Sequence, residues 1–494
     1  MKPKIFIWID SELTFFGLAY YIQQKLDCEL YGIIDVTNKP KRFFQEQKLV
    51  KFEKIWFYFD HVRKHKDNPN VEYLSSFEQK YNINLWRLAL NERVFYFYNK
   101  FYKFKQKEIL SILEQECKLF ETIIDEINPD YFITKNPIQH KDQLFTKICK
   151  KKGINVLILS LAAVGYKCKI SEDPTKLEDH VNPIDKKITF AELQNYLKSL
   201  DKPAQLKSYR EKFATSRYEQ LKASTEYLFR DNNNLVNTHY TYFGRNKVKV
   251  IFDSLKFTLQ KKYRQDYMSK NLPITINSNV PLIYFPLHIE EEKVTLLYAP
   301  YYTNQLEVIR QIAKSLPIGY KLIVKDHPNS AIRGWRKISY YEEIMDIPNV
   351  LLVHPSVPVK EIISKCSLVV TIGSTSGLEA AFYGKPSIVL TSLDFDILPS
   401  VHTVREIEKF PEIIRSSLEK KVNPSDVYKY IKLLEHNSFN FDYLAMQSKI
   451  LDFFFFGGHL IDVHISISKM QQFLKNNESL LSQLALEFIK KLKV

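Results

Sequence analysis

Two hydrophobic patterns alternate along most of this chain. Short unbroken apolar runs, rich in β-branched residues, have the character of strands buried on both faces. Between them lie longer stretches with apolar residues three and four apart, the spacing of amphipathic helices. In the first third the strands are Ile5–Ile9, Glu29–Ile34, Lys54–Phe59, Tyr131–Thr134 and Ile154–Leu159. Helices are expected over Leu13–Leu26, Glu108–Ile127 and Lys141–Lys151, the last stopping at Gly153. From residue 171 to 275 strands fade, with helical spacing over Phe190–Leu228 and Asn246–Met268. Alternation returns with strands at Pro281–Leu287, Lys321–Val324, Val350–Val353, Ser367–Ile372 and Ser387–Leu390. The intervening helices are Asn304–Leu316 and Val359–Cys366, and beyond Pro424 the pattern is mostly helical.

This is the pattern of an α/β protein with two Rossmann-like doubly wound domains. The expected divisions are a first domain over 1–170, a helical connection or insertion over 171–275, a second domain over 276–425 and C-terminal helices over 426–494. A chain of 494 residues exceeds one ordinary core, which agrees with two domains.

Open α/β sheets bind ligands at the carboxyl ends of their strands, so the residues just past each strand carry the candidate chemistry. Lys325-Asp326-His327-Pro328 follows one strand, and Gly373-Ser374-Thr375-Ser376-Gly377-Leu378-Glu379 follows another. The second reads as strand, tight turn and helix N-terminus, where unpaired N–H groups and a partial positive charge suit a phosphate. Ser374, Thr375, Ser376 and Gly377 are its candidate cradle, and small residues there let the anion approach the backbone. Singly, each motif is also an ordinary helix cap or His-Pro turn. His288 follows a further strand and is placed at the same edge, although a histidine there often serves only its neighbours. Asp10 and Glu12 follow the first strand and are the candidate catalytic acids; the competing role is helix capping. The strand before His327-Pro328 is expected beside the phosphate turn, whereas His354-Pro355 has the same local pattern and is expected to be a surface turn.

Composition narrows the field. An apolar content of 45% with 26% charged residues is that of a globular chain, and five scattered cysteines lack metal-type or disulfide spacing. A net charge of +15 favours an anionic partner: a sugar nucleotide, a phosphorylated acceptor or an anionic membrane surface. No nucleic-acid recognition motif accompanies it, so nucleic acid is not an expected partner. Asp10 and Glu12 interrupt the apolar start of the chain, and no run reaches the roughly 18 apolar residues needed to span a bilayer. Phe453–Phe456 is expected in the core. The basic-aromatic stretches Phe101–Lys105 and Lys261–Arg264 fit either a membrane surface or helix faces with buried rings, and we read them first as the latter.

Taken in order, Tyr284-Phe285-Pro286-Leu287-His288, Lys325-Asp326-His327-Pro328, Pro348-Asn349-Val350, Gly373 to Ala380 and Gly384-Lys385-Pro386 resemble the capsular polysaccharide biosynthesis proteins. These are GT-B type glycosyltransferases, broadly related to the capsule Kdo transferases. The resemblance covers about residues 280–395 and is weaker over the first domain. A Glu often precedes the His-Pro pair in similar proteins, where this chain has Asp326. The resemblance implies a GT-B-like fold whose two domains face a cleft, with nucleotide-sugar in the second and acceptor mainly in the first. It implies a metal-independent enzyme without a cofactor, the nucleotide-sugar being the donor substrate and a polysaccharide or lipid-linked saccharide the acceptor. Lys325, His327, Pro328 and the 374–377 turn would hold nucleotide and phosphate, and Glu379 the ribose hydroxyls. A cytoplasmic location, peripheral on the inner membrane face, follows from the same resemblance. A nucleotide-sugar epimerase or polyol-phosphate transferase of the same fold and a non-catalytic scaffold of polysaccharide assembly remain as rival readings.

Overall fold

The computed structural model describes residues 2–63, 68–97, 100–178, 186–200, 222–230, 239–290 and 292–492. The chain forms two units, Met1–Pro174 with Lys202–Val250 and Ser438–Val494, and Thr175–Asp201 with Ile251–Asn437. In the first, β1 (Lys4–Asp10), β2 (Glu29–Asp35), β3 (Lys54–Phe57), β4 (Tyr131–Lys135) and β5 (Asn155–Leu161) are parallel, in the order β3-β2-β1-β4-β5. A sixth strand, β6 (Lys167–Ser171), turns back antiparallel to β5. Its mixed polar sequence gave no strand signal, because the hairpin with β5 rather than intrinsic preference makes it a strand. The third expected strand overran by two residues, since Tyr58–His61 already form a helical turn.

The second unit carries β7 (Leu282–Pro286), β8 (Lys321–Lys325), β9 (Val350–Val353), β10 (Cys366–Thr371), β11 (Ser387–Val389) and β12 (Val401–Thr403). All pair in parallel, in the order β12-β11-β10-β7-β8-β9. Both units are thus doubly wound, the architecture expected of a GT-B-like α/β protein. The expected segment 171–275 is divided between them, with helices Phe190–Leu200 and most of Lys247–Asn271 in the second unit. Much of the spacing expected up to Leu228 falls outside the described residues. Helix Pro424–His436 also belongs to the second unit. The last strand, β13 (Phe439–Asn440), then pairs with β6, and helices Tyr443–Phe454, Ile467–Asn476 and Glu478–Lys491 complete the first unit.

Strict alternation along each strand explains the unbroken apolar runs. In β1, Ile5, Ile7 and Ile9 enter one core with helix Thr14–Lys25 and the C-terminal helices, while Phe6 and Trp8 enter another with helix Gln106–Ile127. In the second unit Ile283, Phe285, Leu322 and Val324 face one core, and Leu282, Tyr284 and Ile323 the other. With both faces covered, these strands have no position for a solvated side chain. Phe454 and Phe455 are buried, as expected, and all five cysteines are free thiols. The basic-aromatic stretches part company: Phe104 is buried, but Tyr263 is largely exposed, so the buried-ring reading fails for Lys261–Arg264.

The C-terminal helix supplies a direct test of this packing. Leu481 is fully buried in the first unit's core, against Gly17 of helix Thr14–Lys25, whereas Leu486 on the same helix is 45% exposed. Leu481→Ala should cost about 2–5 kcal/mol in urea unfolding, and Leu486→Ala no more than about 0.5 kcal/mol.

Candidate functional site

Each sheet reverses its winding at one place. In the second unit this switch lies between β7 and β10, and in the first between β1 and β4. In open α/β sheets ligands bind at such a point, outside the carboxyl ends of the strands, where the loops leaving the two strands diverge.

At the second unit's switch the neighbour of the 373–377 turn is His288, not His327. β7 lies between β8 and β10, so the expectation that the His327 strand borders the phosphate turn is corrected. Buried His288 bonds through Nε2 to Thr371 Oγ1 at 3.1 Å, at the last residue of β10. Its backbone is clamped by Gln305: its N–H donates to Oε1 at 2.7 Å and its carbonyl accepts from Nε2 at 3.0 Å. Its Nδ1 stands 3.6 Å from Glu292 Oε2. Burial pushes the Glu292 carboxyl up, but the nearby His288 and, more weakly, His327 and Lys293 together hold it below its usual value.

His327 begins the turn Pro328–Arg333, and its Nδ1 accepts the Asn329 N–H at 3.1 Å. In the neutral ring that bond fixes the proton on Nε2, making this edge of the imidazole a donor. Pro328 is exposed and serves the turn, pre-setting its first helical residue. Asp326 is the organising residue. Its buried carboxylate accepts from the His327 N–H at 2.7 Å, Ser330 Oγ at 2.9 Å and Tyr341 OH at 2.6 Å, with Arg336 Nε at 3.5 Å. Arg336 also contacts the Glu290 carboxylate and the His288 carbonyl, tying the β7 and β8 loops together. Lys325 is turned inward and donates to the Val357 carbonyl at 2.7 Å. Burial lowers its ammonium to about 8, against the opposing pull of Glu379 and Asp326.

The 373–377 turn closes on itself. Ser374 N–H donates to Thr371 Oγ1, Ser376 N–H to Ser374 Oγ and Gly377 N–H to the Ser374 carbonyl, at 3.1, 3.2 and 3.0 Å. The Ser374 and Ser376 hydroxyls pair at 3.2 Å, and Thr375 Oγ1 donates to Glu379 Oε1 at 3.2 Å. The following helix, Ser376–Phe382, has only seven residues, and Thr375 precedes it without a side-chain cap. The dipole and open N–H groups expected of a long helix are therefore modest here, and the hydroxyls are the prominent polar groups. Gly373 has a packing reason rather than a ligand reason: an added Cβ would lie 2.6 Å from Val294 Cγ1 and 2.8 Å from Thr391 Cγ2.

At the first unit's switch, Asp10 ends β1 and Glu12 follows. Neither caps the next helix, whose N-cap is Leu13; Asp10 Oδ1 instead accepts the Glu12 N–H at 3.0 Å. Both carboxylates hold Lys135, the last residue of β4, at 2.5 and 2.6 Å from its Nζ. Tyr443 OH donates to the other Glu12 oxygen. Burial pushes the Asp10 carboxyl up, with Lys135 opposing it. Burial acts on Glu12 too, but Lys135 and the Tyr443 and Gln447 donors outweigh it and hold Glu12 down. The Lys135 ammonium stays protonated, since its two carboxylates outweigh its burial.

A second polar cluster on this edge escaped the sequence reading. Buried His140 sits between Glu92 Oε2 and Glu116 Oε1, each at 2.8 Å. Tyr58 OH donates to Glu116 and lies 2.9 Å from Tyr240 OH, while Lys141 pairs with Asp35 at 2.6 Å. Burial alone would lower the His140 pKa; Glu116 and Glu92 override it and push it up to about 10. Burial would raise Glu92, but the His140 contacts bring it down to about 2. His140 and Lys141 open the helix after β4, a signal of the same kind as Asp10 after β1. Glu92 and Glu116 come from elsewhere in the chain and carried no such signal.

With this geometry in view, comparison with known proteins is informative in one respect. Residues 188–398 match the family described as "Capsule polysaccharide biosynthesis protein". The resemblance carried by the 284–288, 325–328 and 373–386 motifs thus holds, all of them lying inside the matched span. No curated protein matches the chain. Among solved structures, the chain is similar to the β-Kdo 2,7 transferase of Thermosulfurimonas dismutans KpsC, at 12% identity over 70% of this chain and 87% of that one, TM-score 0.29. It is also similar to the Methanocaldococcus jannaschii UDP-GlcNAc 2-epimerase in complex with UDP-GlcNAc and UDP, at 14% identity over 88% and 100%, TM-score 0.25. Similarity at these scores carries no argument about reaction or ligand.

The His140 cluster predicts a pH dependence. Its imidazolium stabilises the fold fully below the unfolded value near 6.5, and that contribution is lost as pH rises towards 10. The Glu92 contribution is present above about 4.5 and lost as pH falls towards 2. Urea midpoints of the wild type should therefore decline between about pH 6.5 and 9.5, and His140→Gln should flatten that slope while lowering stability near pH 6. An unchanged slope in the variant would exclude this cluster as its source.

Proposed function

We propose that the chain is a GT-B type glycosyltransferase that moves a sugar from a nucleotide-sugar donor to a growing or lipid-linked surface polysaccharide. The carrying observation is the match of residues 188–398 to the capsule polysaccharide biosynthesis family. The polar groups gathered at the carboxyl edge of the second unit support it.

In this reading the donor's nucleotide and phosphates lie over the β7, β8 and β10 ends. Bond breaking leaves negative charge on the departing phosphate, and prepositioned donors stabilise it more than they stabilise the intact donor. His327 Nε2–H and the Ser374, Thr375 and Ser376 hydroxyls supply hydrogen bonds, and Lys325 adds positive charge from behind the edge. Glu379 accepts from ribose hydroxyls, and His288 braces the β7 loop against Thr371. Asp326 and Arg336 keep His327 in register without touching substrate. On the first unit, Asp10 is the base for the acceptor hydroxyl. Burial makes its carboxylate the more proton-seeking of the pair, while Glu12, saturated by Lys135 and Tyr443, fixes the ammonium. Transfer in this scheme needs no bound metal, and the enzyme works on the cytoplasmic face of the membrane.

A thermal-shift screen with CMP, UDP, GDP and their sugars is the first test. A ligand at about 100 times its Kd should stabilise the chain by about 2.7 kcal/mol. Transfer to a saccharide acceptor should then persist in EDTA; loss restored only by magnesium or manganese would refute the metal-free scheme. Release of an isomerised nucleotide-sugar without acceptor would replace the transferase reading with an epimerase.

Two histidines separate the donor site from look-alike sequence. His354 lies at the end of β9, the outermost strand, with its Nδ1 occupied by Ser356. His327→Ala should cost roughly 1.5–3 kcal/mol of nucleotide binding, about tenfold or more, and His354→Ala almost nothing. Equal losses, or a loss confined to His354→Ala in a folded protein, would move the nucleotide elsewhere.

A further inference from the structure

Helix Lys247–Asn271 has apolar residues on two opposite faces. One face is packed: Met268 is buried, Phe257 lies against Gly334, and Arg264 donates to the carbonyls of Gly334 and Trp335 at 3.0 and 2.8 Å. At roughly 100° per residue, Phe257, Arg264 and Met268 fall within about 40° of one another. Ile251, Phe252, Leu255, Leu259 and Tyr263 fall on the other side, centred roughly opposite. These five are between 40% and 70% exposed. An isolated exposed Leu or Phe is unremarkable, but five in register over about three turns form a continuous stripe.

The charge on this helix tells what the stripe fits. Its 25 residues carry seven Lys or Arg against two Asp, and Lys256, Lys262 and Lys270 are exposed. On the same helical wheel Lys256 lies just beyond the Tyr263 edge of the stripe, and Lys262 lies just inside its Ile251 edge, on the other side of its centre. Cations bordering an apolar stripe match an anionic bilayer surface: rings and leucines enter the acyl boundary while ammonium groups meet the headgroup phosphates. A second copy is a poor occupant, since pairing two such stripes would bring their flanking lysines together. Nor is the helix a membrane span, as among the described residues none is long and apolar enough to cross.

We propose that helix Lys247–Asn271 is an in-plane docking surface for anionic phospholipid bilayers, with Phe252, Leu255 and Leu259 as its inserted residues and Lys256 and Lys262 as its headgroup contacts. The packed face holds the helix on its unit while the opposite face meets the lipid. This surface rests on the reading that the enzyme works at the cytoplasmic face of the membrane, while vesicle binding is measured without donor, acceptor or turnover, so its failure leaves the transferase reading standing.

The test is flotation of the full chain with vesicles of phosphatidylcholine, with and without phosphatidylglycerol. Binding is expected only with the anionic lipid, and to weaken with salt as surface charges are screened. The triple variant Phe252→Gln, Leu255→Gln, Leu259→Gln alters only the outward face and should retain the wild-type circular dichroism. It should lower vesicle partition by about tenfold or more, as should Lys256→Glu with Lys262→Glu. Tyr263→Trp in the otherwise native chain provides a readout that needs no destabilising change: the indole emission it adds should shift to the blue on anionic vesicles. Undiminished binding of the triple variant, binding indifferent to lipid charge, or an unshifted emission from the Tyr263→Trp variant would overturn the proposal. Self-association of the wild type that the triple variant abolishes, without vesicle binding, would assign the stripe to a second copy and overturn it equally.

Discussion

A parallel sheet covered on both faces has no room for polar side chains along its strands. Every residue of β7 is buried, and β1 is buried from Ile5 to Ile9. Polar and ionisable groups are therefore pushed to the strand ends, and parallel pairing brings all carboxyl ends to one edge. Asp10, Asp35 and Lys135 close three strands of the first unit; Lys325 and Thr371 close two of the second. The chemistry of this chain is concentrated by the same constraint that forms its cores.

Concentrating charge in partly desolvated places demands partners, and the two units meet that demand differently. In the first, ions are paired in tight groups: Lys135 with two carboxylates, His140 with two more, Lys141 with Asp35. Such pairs stabilise less than their short distances suggest, since each ion has lost hydration, but breaking one leaves an uncompensated buried charge. In the second unit the dominant element is a hub. Asp326 accepts hydrogen bonds from His327, Ser330 and Tyr341 beside the Arg336 guanidinium, and so holds His327 in one orientation. The Asp in place of the Glu common before His-Pro is thus an anchor for the loop. Its oxygens are already engaged, which separates its role from that of its neighbours.

At the 373–377 turn the backbone cradle expected from the sequence is largely engaged from within the turn. Glycine at 373 is required by Val294 and Thr391, and the N–H groups of Ser374, Ser376 and Gly377 are engaged close by. The Ser374 and Thr375 hydroxyls, rather than the backbone of a long helix, are then the more exposed polar groups of this turn, and Ser376 is buried beneath them.

Much of this was legible in the chain itself. Uninterrupted apolar runs at 5–9, 282–285, 322–324 and 368–370, inside the strands expected over 5–9, 281–287, 321–324 and 367–372, mark strands buried on both sides, and helical spacing between them marks the crossovers, because burial and period are local properties. The ordered motifs from Tyr284 to Pro386 carried the family resemblance for the same reason. What sequence could not decide was adjacency. That β7 lies between β8 and β10, bringing His288 rather than His327 to Thr371, follows from the winding of the whole sheet. Tyr443 reaches Glu12 across 431 positions, and His140 draws Glu92 and Glu116 from two separate segments. Those partners share no period or spacing with the residues they serve. Likewise the outward stripe at Ile251–Tyr263 looks like any other amphipathic pattern until Phe257 and Met268 are seen to occupy the opposite, packed face. Periodicity says that a face is apolar; only the folded chain decides which apolar face finds a partner.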